Sequence, residues 1–360
     1  MKQLIALFKS GLLLYIAGFI TICSAQTETA ADTASYNSQI LTKNAGEYLK
    51  SVHEKLLPQR KAVYEYLQSV TKSRRTRVVE RKRQEMIIAI KKNSEYFKTF
   101  IPFNNDNEFK DELQHYLDFE YSILKEDFDK IVDMEQIEAL TIDQEEAHQM
   151  ALDLAFEKLD TCFEQFERAE DAFFARYNIK KSTEKDKMSL AIERANDLIE
   201  YYNSIHRIFY KVDKIHRQAH EAVQRKDVVA LEQLSVTIVS FADEALEKLS
   251  NKQPFEGDNE LITATKDLVG FYKKEGLGRI PLNVKFNLDK DRFDEAAKKI
   301  QSIKSADRTE ADVKEYNSAV NDYNKAVKEI NKVNSSSTKT HNQMIKRWND
   351  TGEMFFKKHS

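Results

Sequence analysis

The chain has 360 residues, of which 32% are charged and 41% hydrophobic, with 56 basic against 59 acidic side chains. Eight glycines and four prolines are too few for a sheet protein, which needs turn residues at short intervals; they favour long helices joined by few turns. The near balance of charge leaves no whole-molecule field to steer nucleic acid, and that class of partner is excluded.

The first 25 residues read as a secretory signal. Lys2 and Lys9 supply the positive end, and Gly11–Cys23 is an apolar run of 13 residues, too short to span a bilayer. Cleavage is expected after Ala25, leaving a polar tether over 26–37 and no transmembrane helix. Lipidation at Cys23 is the alternative, disfavoured by Ile22, where such signals want a small residue. The expected location is therefore the periplasm or cell surface. After cleavage Cys162 alone remains, so no internal disulfide forms. Among Leu159, Phe163 and Phe166 it reads as a small buried hydrophobe.

Helical periodicity begins near Ile40, with Leu41, Ala45, Tyr48, Leu49, Val52 and Leu56 on one face. Pro58 is expected to kink or restart that helix. Further helices are predicted from Ser73 to Phe100, Asp106 to Asp133 and Asp143 to Tyr177. The pattern then restarts. "EYLKSVHEKL" (47–56) is matched by "EYYNSIHRIF" (200–209), and Pro-Phe-x-x-Asp-Asn-Glu occurs at Pro102 and again at Pro254, 152 positions on. "FERAEDAFFARY" (166–177) is matched by "WNDTGEMFFKKH" (348–359).

The expected architecture is all-α: two tandem duplicated antiparallel four-helix units, elongated, over 38–178 and 186–360. The second unit carries about ten extra helical turns, placed in an arm at about 306–340. There Val313, Tyr316, Val320, Tyr323, Val327 and Ile330 keep a heptad register, a seam for packing on the bundle or for self-association. "NSSSTKT" (334–340) is expected to loosen the helix beyond it.

The repeated phrase reads as punctuation. Pro102 and Pro254 end one helix. Asn105 and Gly257 are expected to cap the next, with Glu108 and Glu260 three residues on as capping-box carboxylates. Phe103 and Phe255 are placed to fold over the first turn.

No nucleophile on a sharp turn and no phosphate loop appears, so an enzyme is not expected. No cofactor is expected either. The metal candidates are Glu145 and His148, in Glu-x-x-His, and the repeat-related His53 and His206. The partner string Glu112-x-x-His115 falls on the wet side of its helix, and both repeat-related histidines read as boundary side chains. The one unbalanced stretch is "KSRRTRVVERKR". Its Lys72, Arg74, Arg75, Arg77, Arg81, Lys82 and Arg83 face a single acid, Glu80. It is the candidate partner-binding stripe, for an envelope protein, a glycan or anionic lipid headgroups.

The export signal, "SYNSQI" (35–40), the Pro-Phe-x-x-Asp-Asn-Glu junction and the helical body together resemble uncharacterised all-helical exported bacterial surface proteins. The resemblance implies an envelope-associated protein of undefined activity and assigns no catalytic residue. The expected function is that of a non-enzymatic exported protein binding a partner or an anionic envelope component along a helical body. A metal- or haem-binding bundle is the alternative.

Overall fold

The computed structural model describes residues 33–72, 76–131, 142–181 and 184–360. The signal segment, Cys23, and the stretch with Arg74 and Arg75 lie outside the described residues. The fold is all-α. Among the described residues there is no strand, only a two-residue bridge between Phe255 and Asp258. In chain order the helices are α1 (Thr33–Lys72), α2 (Thr76–Lys98), α3 (Asn107–Ile131), α4 (Ile142–Arg176), α5 (Lys187–Arg225) and α6 (Val228–Asn251). They continue with α7 (Glu260–Lys274), a π-helical segment (Glu275–Arg279), α8 (Ile280–Ser302) and α9 (Glu310–His359). The chain divides into compact units at 203–204, inside α5, and Phe356–Ser360 belong to the first of them. The 178–186 connector thus lies within the first unit.

In the first unit α1 packs on α2, α2 on α3 and α3 on α4. The ring closes where Tyr48 of α1 stacks on Phe173 of α4, centroids 5.7 Å apart. The core uses the helical stripes that periodicity marks: Ala45, Leu49, Val52 and Leu56 of α1, and Phe109, Leu113 and Leu117 of α3, are buried. Cys162 is buried among them, and burial, with Glu112 nearby, pushes its thiol above the usual range. Pro58 neither ends nor restarts α1, which runs through it. Packing on both sides of the proline outweighs the single backbone hydrogen bond it forfeits.

The second unit comprises residues 204–355. Its core runs through Ile205, Phe209 and Val212 of α5, Leu231 and Ile238 of α6, Leu268 and Tyr272 of α7, and Trp348 of α9. Phe209 stacks on Trp348 at 4.8 Å, and the indole N–H donates to Thr265 Oγ1 at 2.9 Å. That bond satisfies the one polar atom of a buried indole.

The caps fall later than expected. Asn104 and Asn105 both take positive φ, so α3 begins after Asp106. Gly257, at φ +82°, turns the chain between Phe255 and Asp258, and Asn259 holds the N-cap position of α7. Asp258 Oδ1 accepts from the Glu260 N–H at 2.9 Å. The expected capping-box carboxylate Glu108 turns instead to Arg176, at 2.7 Å, which also binds Asp106. The phenylalanines do fold inward. Phe103 meets Phe173 at 6.0 Å, and Phe255 meets Phe355 at 5.4 Å.

The arm is a helical hairpin made from the far half of α8 and the near half of α9, joined through Ser305–Asp307. The two helices face one another along this stretch, Lys299 of α8 reaching Glu315 of α9 at 2.6 Å. The heptad seam packs within this hairpin. Tyr323 stacks on Phe293 at 5.0 Å and on Phe286 at 5.9 Å, Tyr316 lies 6.4 Å from Phe293, and Ile330 is buried. Val320 and Val327 are half-buried and Val313 is exposed. The seam of α9 thus faces Phe286 and Phe293 of α8. The stretch 334–340 does not loosen α9. Thr338 and Thr340 turn their hydroxyls back to the carbonyls of Asn334 and Ser336, at 3.0 Å each, and the helix continues to His359.

Candidate functional site

The most concentrated buried polar chemistry of the second unit surrounds the π-helical segment. A π turn widens the helix by one residue, and such segments commonly mark functional or specially packed sites. Here "EGLGR" (275–279) supplies two of the eight glycines of the chain. Gly276 lies against α6: a Cβ at that position would stand 3.0 Å from Val239 Cγ2 and 3.1 Å from the Ser235 carbonyl oxygen. Ser235 Oγ donates to the Gly276 carbonyl at 2.7 Å, which satisfies an acceptor that the wider turn frees. Gly276→Ala is expected to lower the unfolding free energy by about 1–3 kcal/mol, because neither the backbone oxygen nor the branched valine gives way without cost. Thermal denaturation of the variant checks this, and an unchanged Tm would show that the segment yields freely.

The widened turn places Glu275 and Arg279 on the inner side, both 6% exposed. Arg279 Nε donates to Glu275 Oε2. Ser337 Oγ of α9 donates to the same oxygen at 2.6 Å, and His216 Nε2 of α5 lies 3.8 Å from it. Burial raises the Glu275 carboxyl, but His216, Arg279 and Ser337 together hold it below the usual carboxylate range. One turn earlier, Tyr272 donates to Asp213 Oδ1 at 2.6 Å and has His341 Nε2 at 3.2 Å. His216 stacks on Tyr272 at 4.3 Å and faces His341 at 5.0 Å. Burial, and then the neighbouring His216, keep His341 below the usual histidine range, so its ring is neutral at pH 7. The cluster joins α5, the π segment and α9, and its two carboxylates each have a cationic or hydroxyl partner. Its chemistry is that of a closed, charge-compensated network.

The candidate stripe divides into two halves. Arg83 is buried and holds Glu80 through two bonds of 2.9 Å. Lys82 Nζ bridges Glu65 at 2.6 Å and Glu85 at 2.7 Å. Neither is available to a surface partner without breaking these pairs. Lys72, Arg77 and Arg81 are exposed, Arg81 with Glu85 at 3.7 Å. The helical turn fixes this outcome: Lys82 and Arg83 are rotated from Arg77 and Arg81 towards α1, where Glu65 waits.

The histidines are placed as follows. His53 Nε2 stands 3.5 Å from Glu170 of α4. His206 is not a boundary side chain; it is buried against Phe209, Tyr210 and Trp348. His115 is exposed beside Glu112, and the side chains of Glu145 and His148 lie outside the described residues. Among the described residues no group of three or more His, Cys, Asp or Glu side chains is arranged to hold a metal ion. No described helix is long and apolar enough to cross a membrane.

Sequence reasoning missed the Glu275–Arg279 cluster. Its signal was the pair Gly276 and Gly278 interrupting a helical pattern in a chain that spends glycine sparingly. Charged residues at 275 and 279 look like an ordinary exposed i, i+4 pair until α5 and α9 are known to cover them. Compared with known proteins, the chain matches no family model, no curated protein and no solved structure.

Proposed function

We propose that this is an exported, non-enzymatic protein that binds an anionic component of the cell envelope through the basic end of the α1–α2 hairpin. The observation that carries this reading is the division of labour within the basic run. Lys82 and Arg83 engage Glu65, Glu80 and Glu85, so the local acids are already neutralised from within. Lys72 and Arg77 then face solvent as excess positive charge, with Arg81 beside them. Guanidinium groups suit phosphate and carboxylate ligands, which they bind in a fork geometry. Export is supported by Lys2, Lys9 and the apolar run to Cys23. The duplication of the helical unit is supported by similar helix lengths in the same order, 40 and 23 residues for α1 and α2 against 39 and 24 for α5 and α6. The repeat-related ring pairs Phe103–Phe173 and Phe255–Phe355 point the same way.

Each basic residue near an anionic surface contributes about 1 kcal/mol. Arg77→Ala/Arg81→Ala is therefore expected to weaken retention by roughly 30-fold. The test is cross-linked co-purification of the protein from its own envelope at low and high salt. A phosphorylated or carboxylated component captured at low salt, and lost both at high salt and in the variant, is the expected result. Recovery of the protein alone at both salts would sink the reading.

A further inference from the structure

The hairpin arm presents an open groove of about 780 Å³ between α8 and α9, on the side away from the stacked rings. Two helices packed side by side leave such a groove along the faces that each turns away from the other. The register of the hairpin is set by Lys299 Nζ, 2.6 Å from Glu315 and 3.4 Å from Asp312, and by the Phe293–Tyr323 stack. Residues of α8 and α9 at the same height can therefore be read off.

From base to tip the groove carries Asp289 and Asp322, then Arg292, then Glu295 with Glu315, then Lys299 with Lys314. The signs alternate in four steps: negative, positive, negative, positive. An alternating row with an even number of steps is complementary to itself when reversed. A second identical arm laid antiparallel places Asp322 against Lys314 at both ends of the contact and Arg292 against Glu295 on either side of its centre. A partner helix of one sign would meet like charge at two of the four steps. At the centre of the row, where the two-fold axis would pass, the groove is floored by Ala296, Ser318 and Ala319, small side chains that let helices approach closely. Arg292, Glu295, Lys314 and Asp322 are all exposed. The internal pair Lys299–Glu315 is a surface pair of small net worth, and exchanging it costs little.

We infer that the arm is a self-association surface, and that its occupant is the arm of a second copy of this chain, antiparallel about a two-fold axis. The contact is isologous: the same patch serves both copies, and every charge pair occurs twice. It involves no residue of the Lys72–Arg81 face, so it stands or falls independently of the proposed function.

The test is sedimentation equilibrium of the full chain with two charge-swapped variants, Arg292→Glu/Lys314→Glu and Glu295→Lys/Asp322→Lys. The unaltered chain is expected to dimerise, and the dimer to loosen as salt screens the charge pairs. Each variant alone places like charges opposite one another and is expected to associate at least about tenfold more weakly, a loss of about 1.4 kcal/mol. An equimolar mixture of the two restores all the pairs and is expected to recover the dimer. Recovery on mixing also shows that the variants are folded. A chain that is monomeric throughout overturns the inference. So does a dimer that neither variant weakens, or variants that stay apart when mixed while giving the helical spectrum of the unaltered chain.

Discussion

Arg279→Ala is expected to lower the stability of the second unit by about 3–5 kcal/mol, the range for breaking a buried ion pair from one side. The reason is the carboxylate left behind. Glu275 is 6% exposed, and once the guanidinium is gone it keeps only the Ser337 hydroxyl and a histidine 3.8 Å away. Removing both charges avoids that penalty, so Glu275→Gln/Arg279→Met is expected to be markedly more stable than Arg279→Ala. Trp348 is the one tryptophan of the chain and sits in the core of this unit, so urea unfolding followed by its fluorescence reads the effect directly. A midpoint for Arg279→Ala equal to that of the unaltered protein would mean the cluster is hydrated and the pair contributes nothing.

The second large effect lies in the first unit. Glu120 is fully buried, and burial pushes its carboxyl up to about 8, against a smaller lowering by the Gln59 amide that donates to it at 2.9 Å. Gln59 in turn accepts from Asn93 at 2.7 Å, while Glu120 Oε1 has no hydrogen-bond partner. A carboxyl whose folded-state pKa is raised stabilises the fold while it is protonated. That contribution is complete below about pH 4.5 and is lost as pH rises through 8, by about 1.4 kcal/mol per pH unit in between. Glu120→Gln keeps the acceptor for Gln59 and has no proton to lose. It is expected to flatten the decline between pH 4.5 and 8, and at pH 8 to be more stable than the unaltered chain by roughly 3–5 kcal/mol. Denaturation followed by circular dichroism at several pH values measures this. Identical slopes for both proteins would show that Glu120 ionises freely.

Much of the architecture was legible because it rests on repeating apolar spacing. Leu49, Val52 and Leu56 announce their burial by position alone, and the ends of α2, α3 and α4 fall within a few residues of the punctuation around them. What failed was local chemistry overridden by packing. Pro58 breaks an isolated helix but not one held along its length. Asn105 and Gly257 are good caps, yet both are consumed by the turn itself. The serine and threonine run 334–340 has poor helix propensity, and α9 absorbs it because Ser337 and Asn334 bond to Glu275 and Asn283. The stripe was legible as a count of charges and not as a surface, since the pairing of Lys82 with Glu65 depends on α1 and α2 lying side by side. The Glu275–Arg279 cluster was hidden for a related reason: three elements far apart in the chain create its burial.

Phe356–Ser360 belong to the same compact unit as residues near the opposite end of the chain. Phe356 packs its ring on Tyr202 at 5.1 Å, and the His359 carbonyl accepts from Arg194 at 2.8 Å. The first unit therefore lacks its closing piece until the ribosome has released everything up to residue 360. Maturation runs against the direction of synthesis: the earliest segment to emerge is among the last to be finished. Such a chain stays loose while it is being made, and it locks only when its last helix is complete.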